Sequence, residues 1–151
     1  MRRVSFDLTG LPPSRDELLD FETNVAPDAY ERVLDQLLAS PRYGERWARR
    51  WMDVAHFAET HGNDQDRIRT NAWPYRDYLV QSFNDDKPFD RFVREQIAGD
   101  SFGADVATGF LVGGPVDIVK SPDPVLTAQQ RADELDDMIG TTGTAFLGLT
   151  V

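Results

Sequence analysis

The residues best equipped for chemistry lie in the stretch ETHGNDQDRIR at positions 59–69. An imidazole beside carboxylates suits a hard or borderline divalent metal, so His61, Asp64 and Asp66 are the candidate metal ligands. The same histidine could hold a proton for transfer. Glu59 with Asp64 or Asp66 would serve glycoside hydrolysis or sugar binding, if the two carboxylates stood about 5 to 10 Å apart. Arg67 and Arg69 add two planar forks of N–H donors, and with His61 they form the candidate set for an anionic cofactor group. The competing structural reading is a solvated loop whose arginines neutralise its own aspartates, with a histidine that favours a helix dipole. Asp64 and Asp66 echo the opening of a calcium loop, but Ile68 and Arg69 stand where a turn glycine and polar ligands belong. His56 precedes His61 by five residues, which on a helix puts it on the other side at about 100° per residue. Two histidines make neither a three-histidine zinc site nor a triad. With no catalytic constellation in view, the isolated chain reads as not an enzyme.

These residues need helices to position them. Val4, Phe6 and Leu8 alternate ahead of Gly10, Pro12 and Pro13, which predicts an extended arm over residues 1–13, with Asp7 capping its own turn. Ser14 and Glu17 have the spacing of a capping box at the start of a short helix carrying Leu18, Leu19 and Phe21. A second helix opens near Pro27 and turns Tyr30, Val33, Leu34, Leu37 and Leu38 inward until Ser40 and Pro41 stop it. A third is expected from Tyr43 to Thr60, ended by Gly62, with Trp47, Trp51, Val54, Ala55 and Ala58 on its apolar face. Trp47 and Trp51 read as core, and Arg46, Arg49 and Arg50 as partners for Asp53, Asp77 or Glu95.

Two further helices follow the polar loop, one from Pro74 through Tyr75, Tyr78, Leu79 and Phe83, the next from Pro88 to Gly99. The Gly/Pro-rich segment 101–125 reads as a long loop. A last helix starts near Thr127 and leads through Leu135, Met138 and Ile139 to an apolar tail, Ala145 to Val151. The expected fold is therefore all-α, a single irregular, orthogonal helical domain over 1–151 with five to six helices and its body at 14–100.

Composition narrows the partners. The chain has 151 residues, 26 acidic against 16 basic, and a formal charge of −10. That disfavours nucleic acid and anionic membranes, since phosphate binding needs a basic face. Nothing resembles a membrane span or a signal peptide. Zero cysteines exclude disulfides, zinc–thiolate sites and covalent haem attachment within these residues.

The ordered motifs DLTGLPPS, LASPRYGERWARRWMDVAHFAETHGNDQDRIR, NAWPYRDYLVQSFNDDKPFDRFVREQIAGD and DDMIGTTGTAFLGLTV resemble the haem-motif-associated domain of planctomycete cytochrome c-type proteins, long a domain of unknown function. In that family the segment matching TTGTAFLGLTV runs directly into a Cys-x-x-Cys-His element that holds haem c. The resemblance implies an exported parent protein, periplasmic or cell-surface, in which this chain is a helical module cut just before the haem motif. It further implies support of haem-linked electron transfer, with other domains of the parent and a redox partner as its associates. Arg67, Arg69 and His61 would then face a haem propionate or supply an axial ligand. The alternatives are a carbohydrate-binding or hydrolytic module around Glu59, His61, Asp64 and Asp66, and a purely structural interaction domain.

Overall fold

The computed structural model describes residues 1–62 and 65–150. Among them the chain is all-helical: α1 (Arg2–Thr9), α2 (Arg15–Thr23), α3 (Ala29–Leu38), α4 (Pro41–Val54), α5 (Trp73–Asn84), α6 (Phe89–Ala98), α7 (Gly109–Val112) and α8 (Pro124–Thr142). No helix of the described residues is long and apolar enough to cross a membrane. Contacts group the chain into two compact units, one of Met1–Arg50 with Leu79–Lys87, the other of Trp51–Tyr78 with Pro88–Val151.

The first unit corrects the expected extended arm. Residues 2–9 are helical, with Met1, Val4, Ser5 and Leu8 turned inward, whereas Phe6 is exposed. The alternation of Val4, Phe6 and Leu8 suggested period 2, but the buried set follows the i, i+3, i+4, i+7 spacing of a helix. Gly10 closes α1 in the left-handed conformation, φ 73°, and its N–H bonds the Phe6 carbonyl. At α2 the capping box forms as expected: Ser14 Oγ accepts from the Glu17 N–H at 3.2 Å, and Glu17 Oε2 accepts from the Ser14 N–H at 2.6 Å. α1 and α2 pack on α3, which buries Ala29 and Val33.

Asn84 binds the start of α4. Its Oδ1 accepts from the Gly44 N–H at 2.8 Å, and its Nδ2 donates to the Pro41 carbonyl at 3.3 Å. A first-turn N–H has no partner within its own helix, so this bond completes the backbone. Glycine is required at 44 because a Cβ there would lie 2.4 Å from the Val80 carbonyl oxygen. Leu79, in the same unit, is fully buried.

The second unit is built on an aromatic cluster with a polar centre. Trp51 meets Phe92 edge to face at 4.9 Å between ring centres, and Phe110 lies 4.7 Å from Phe146. Gln96, fully buried, accepts through Oε1 from Trp51 Nε1 at 2.8 Å and from the Tyr75 hydroxyl at 2.6 Å. Both lone pairs of that oxygen are used, and Gln96 Nε2 donates onward to the Phe92 carbonyl. Burial pushes the Tyr75 phenol well above its usual 10.

Two further expectations change here. α4 stops at Val54 rather than Thr60, because His56 takes the left-handed conformation, φ 51°. The Phe57 N–H then bonds the Met52 carbonyl and the His56 N–H bonds that of Asp53, the two bonds of a Schellman stop, with histidine where glycine is usual. The long loop 101–125 contains structure: 3₁₀ turns at Gly99–Phe102 and Asp105–Thr108, then α7. Its glycines serve packing as well as turning, since a Cβ at Gly109 would stand 2.7 Å from the Tyr75 side chain. The arginine pairings also differ: Asp77 is bound by Arg76, Glu95 takes Arg91 and the Tyr78 hydroxyl, Arg50 lies over the Trp47 ring, and Arg46 Nε is buried without a hydrogen-bond partner among the described residues.

Candidate functional site

A cavity of about 300 Å³ lies in the second unit, with His61, Arg69, Asp137 and Thr141 among its lining side chains and Phe110, Val112 and Met138 among its apolar ones. Residues 59–61 and 67–69 pair with each other and so bring His61 and Arg69 together. The His61 N–H bonds the Arg67 carbonyl, the Arg69 N–H bonds that of Glu59, and Thr60 and Ile68 form an isolated antiparallel bridge.

Arg69 organises this corner. Its guanidinium donates to the carbonyls of Val112, Gly113 and Gly114 at 3.3, 2.9 and 2.6 Å, and its Nε donates to His61 Nδ1 at 3.3 Å. Carbonyls that no helix satisfies thereby gain a donor, and the segment after α7 is clasped to the loop. Partial burial lowers the guanidinium's pKa without costing it its proton. With Arg69 Nε as donor, His61 Nδ1 is the accepting nitrogen of its ring. That nitrogen is therefore engaged by Arg69 rather than free.

The remaining loop candidates fall elsewhere. Asp66 accepts from the Gly62 N–H at 3.0 Å, and hydrogen bonds from Thr60 and Gly62 hold its carboxyl below the usual range. Arg67 is exposed and bonds Gln65 Oε1. Glu59 is paired with Arg76. Asp64 lies outside the described residues. Among the described residues no three histidine, aspartate or glutamate side chains converge as a metal site. Of the expected cofactor set, His61 and Arg69 are brought together at the cavity, and Arg67 is not among its lining residues. Glu59, engaged by an arginine, does not supply the free carboxylate that a glycosidase pair requires.

Sequence reasoning missed the other wall. His56 Nδ1 lies 3.2 Å from Thr141 Oγ1 and 3.9 Å from Asp137 Oδ1, and both partners line the cavity from α8. The threonine–histidine spacing is that of a nucleophile and its base. Asp137, however, approaches the same nitrogen as the threonine, and among the described residues no hydrogen bond or ion pair orients the imidazole from its other side. Glu134, also on this wall, is ion-paired with Lys120 at 2.6 Å and Arg131 at 3.0 Å, which hold its carboxyl below the usual range, Lys120 contributing most. The only local sign of the wall is the left-handed histidine at a helix end. Nothing near it in sequence indicates Thr141, 85 residues away.

Fold and site together define an all-helical module with a small mixed-polarity cavity and no assembled catalytic set among the described residues. The model of the PSCyt2 family, described as a protein of unknown function (DUF1549), matches residues 1–151, and the chain belongs to that family. Comparison with curated proteins and with solved structures gives no match.

Proposed function

We propose that this chain is a non-enzymatic helical module of a larger exported c-type cytochrome-like protein, in which it supports haem-linked electron transfer and docks the parent's other domains. Membership of the PSCyt2 family and the resemblance to the domain that precedes a haem motif support the reading. The observation that carries it is the anchoring of the segment TTGTAFLGLTV. After α8 the chain makes a π turn at Gly143–Leu147, and Phe146 packs on Trp51 at 5.7 Å as well as on Phe110. A haem-bearing segment downstream would therefore follow a stretch that is held to the aromatic core at Phe146.

The residues of this chain do not themselves fit covalent haem. There is no cysteine for thioether bonds, and His61 Nδ1 is committed to Arg69. The role left to the module is to position the group. Extending the chain into the following part of its gene and maturing it in a haem-attaching host should give a reduced c-type absorption band. A colourless, haem-free mature protein would sink the reading.

A further inference from the structure

α8 is amphipathic with its apolar face outward. Thr127, Gln130, Glu134, Met138 and Thr141 are buried or half-buried, whereas Val125, Ala128, Ala132, Leu135 and Ile139 are exposed, Val125 at 77%, Leu135 at 43% and Ile139 at 61%. Scattered exposed apolar residues need no explanation, but these recur at intervals of three, four, three and four. Thr142 adds the next interval of three. This is a heptad seam, with Val125, Ala132 and Ile139 at the first position and Ala128, Leu135 and Thr142 at the fourth. Two of the three first positions are β-branched and Leu135 stands at a fourth, a combination that in parallel coils favours two strands.

The charges beside the seam point to the same partner. Arg131 occupies the seventh position of one heptad and Asp136 the fifth of the next, the two positions that face each other across a parallel pair. In an antiparallel pair Arg131 would face Arg131 and Asp136 would face Asp136. Within its own chain Arg131 bonds Glu134 at 3.0 Å, but Lys120 holds the same carboxylate at 2.6 Å. Glu134 therefore keeps a cation when Arg131 turns outward.

We propose that α8 is a self-association surface, on which two copies of this chain pair in parallel as a short two-stranded coil. This is independent of the haem reading. The seam spans about two and a half heptads, which places the interface among the small, weak class below about 1,200 Å². Packing of the inner face has already ordered the helix, so pairing does not bear the cost of forming it.

Sedimentation velocity on the full chain, taken up to about 0.5 mM to cover weak interfaces of this class, should show the mass rising from 17.1 kDa toward a dimer. Ile139→Asp should leave a monomer with unchanged helical circular dichroism. R131E or D136R alone should each weaken the dimer about tenfold, and the two together should restore it to within about threefold, since the facing pair is rebuilt with its charges exchanged. A chain that stays monomeric throughout would overturn the proposal. So would a dimer untouched by Ile139→Asp, or a double variant as weak as the singles.

Discussion

The two units solve the same problem over different distances along the chain. The first is stitched largely by neighbours: a capping box at Ser14 and Glu17, ion pairs Arg32–Asp28 and Arg42–Glu45, and the Gly10 stop of α1. The Asn84 clasp on α4 is its principal long-range bond. The second depends on side chains that meet from far apart, as in Trp51–Gln96, Tyr78–Glu95, Arg69–Gly114 and His56–Thr141. Local stitching stabilises segments one at a time, whereas a remote network must be completed together and its loss leaves buried polar atoms unpaired.

The contrast is clearest where both units use one motif. α4 and α5 each end in a Schellman stop with a non-glycine residue at positive φ, His56 at 51° and Asp86 at 48°. Among the described residues Asp86 is bonded only within its own stop. His56 carries the stop and also reaches α8.

The sharpest way to break this comparison is Gln96→Leu. It removes the acceptor of the buried Tyr75 hydroxyl and the nearer of the two acceptors of Trp51 Nε1, which keeps only the Tyr75 oxygen at 3.2 Å, and should cost about 3 kcal/mol in urea unfolding. A loss under about 1 kcal/mol would mean that the network is dispensable. Arg69→Ala comes next, at about 2 kcal/mol, because the Val112 and Gly114 carbonyls lose the guanidinium and Gly113 keeps only the Ala58 N–H. Hydrogen exchange should quicken at the Ala58 and Val116 amides, which bond the Gly113 and His61 carbonyls, and unchanged protection there would count against the clasp.

Ser14→Ala should cost about 1 kcal/mol near neutral pH. Bonds from Ser14, its side chain first and its backbone second, lower Glu17 from its usual 4.5. A depressed carboxyl contributes its stability fully above the ordinary value and loses it as pH falls through the lowered one. The difference between wild type and variant should therefore shrink in acid, and a gap that widens there would reverse the assignment. The smallest effect separates the two Schellman stops. Asp86→Gly should raise stability by about 0.5 to 1 kcal/mol by relieving a left-handed residue. His56→Gly should gain less, or lose, because it also gives up the Thr141 bond, and equal gains in thermal melts would remove that role.

Much of the first unit was legible in the sequence because its determinants are neighbours. Ser14 with Glu17 and the apolar spacing of Val33 and Leu37 specify caps and faces without reference to the rest of the chain. The error there, an arm read as extended, arose because Val4, Phe6 and Leu8 satisfy period 2 over a segment too short to exclude period 3.6. In the second unit the helices were recognisable from Trp51, Tyr75 and Phe92, but the site was not. The stretch 59–69 drew attention through its charges, of which Asp66 and Arg67 are engaged by near neighbours and Glu59 by Arg76, while the His56, Asp137 and Thr141 wall left almost no mark.

By itself the sequence determined an all-helical, acidic, cysteine-free chain with a capped second helix and an aromatic core, since propensity, capping and hydrophobic period act within a few residues. Only the tertiary structure decided that Gln96 would join Trp51 to Tyr75, that Arg69 would clasp the Gly113–Gly114 carbonyls and engage His61 Nδ1, and that α8 would turn its apolar row outward. Those outcomes depend on which faces are already occupied when distant segments meet, and a linear pattern carries no record of that.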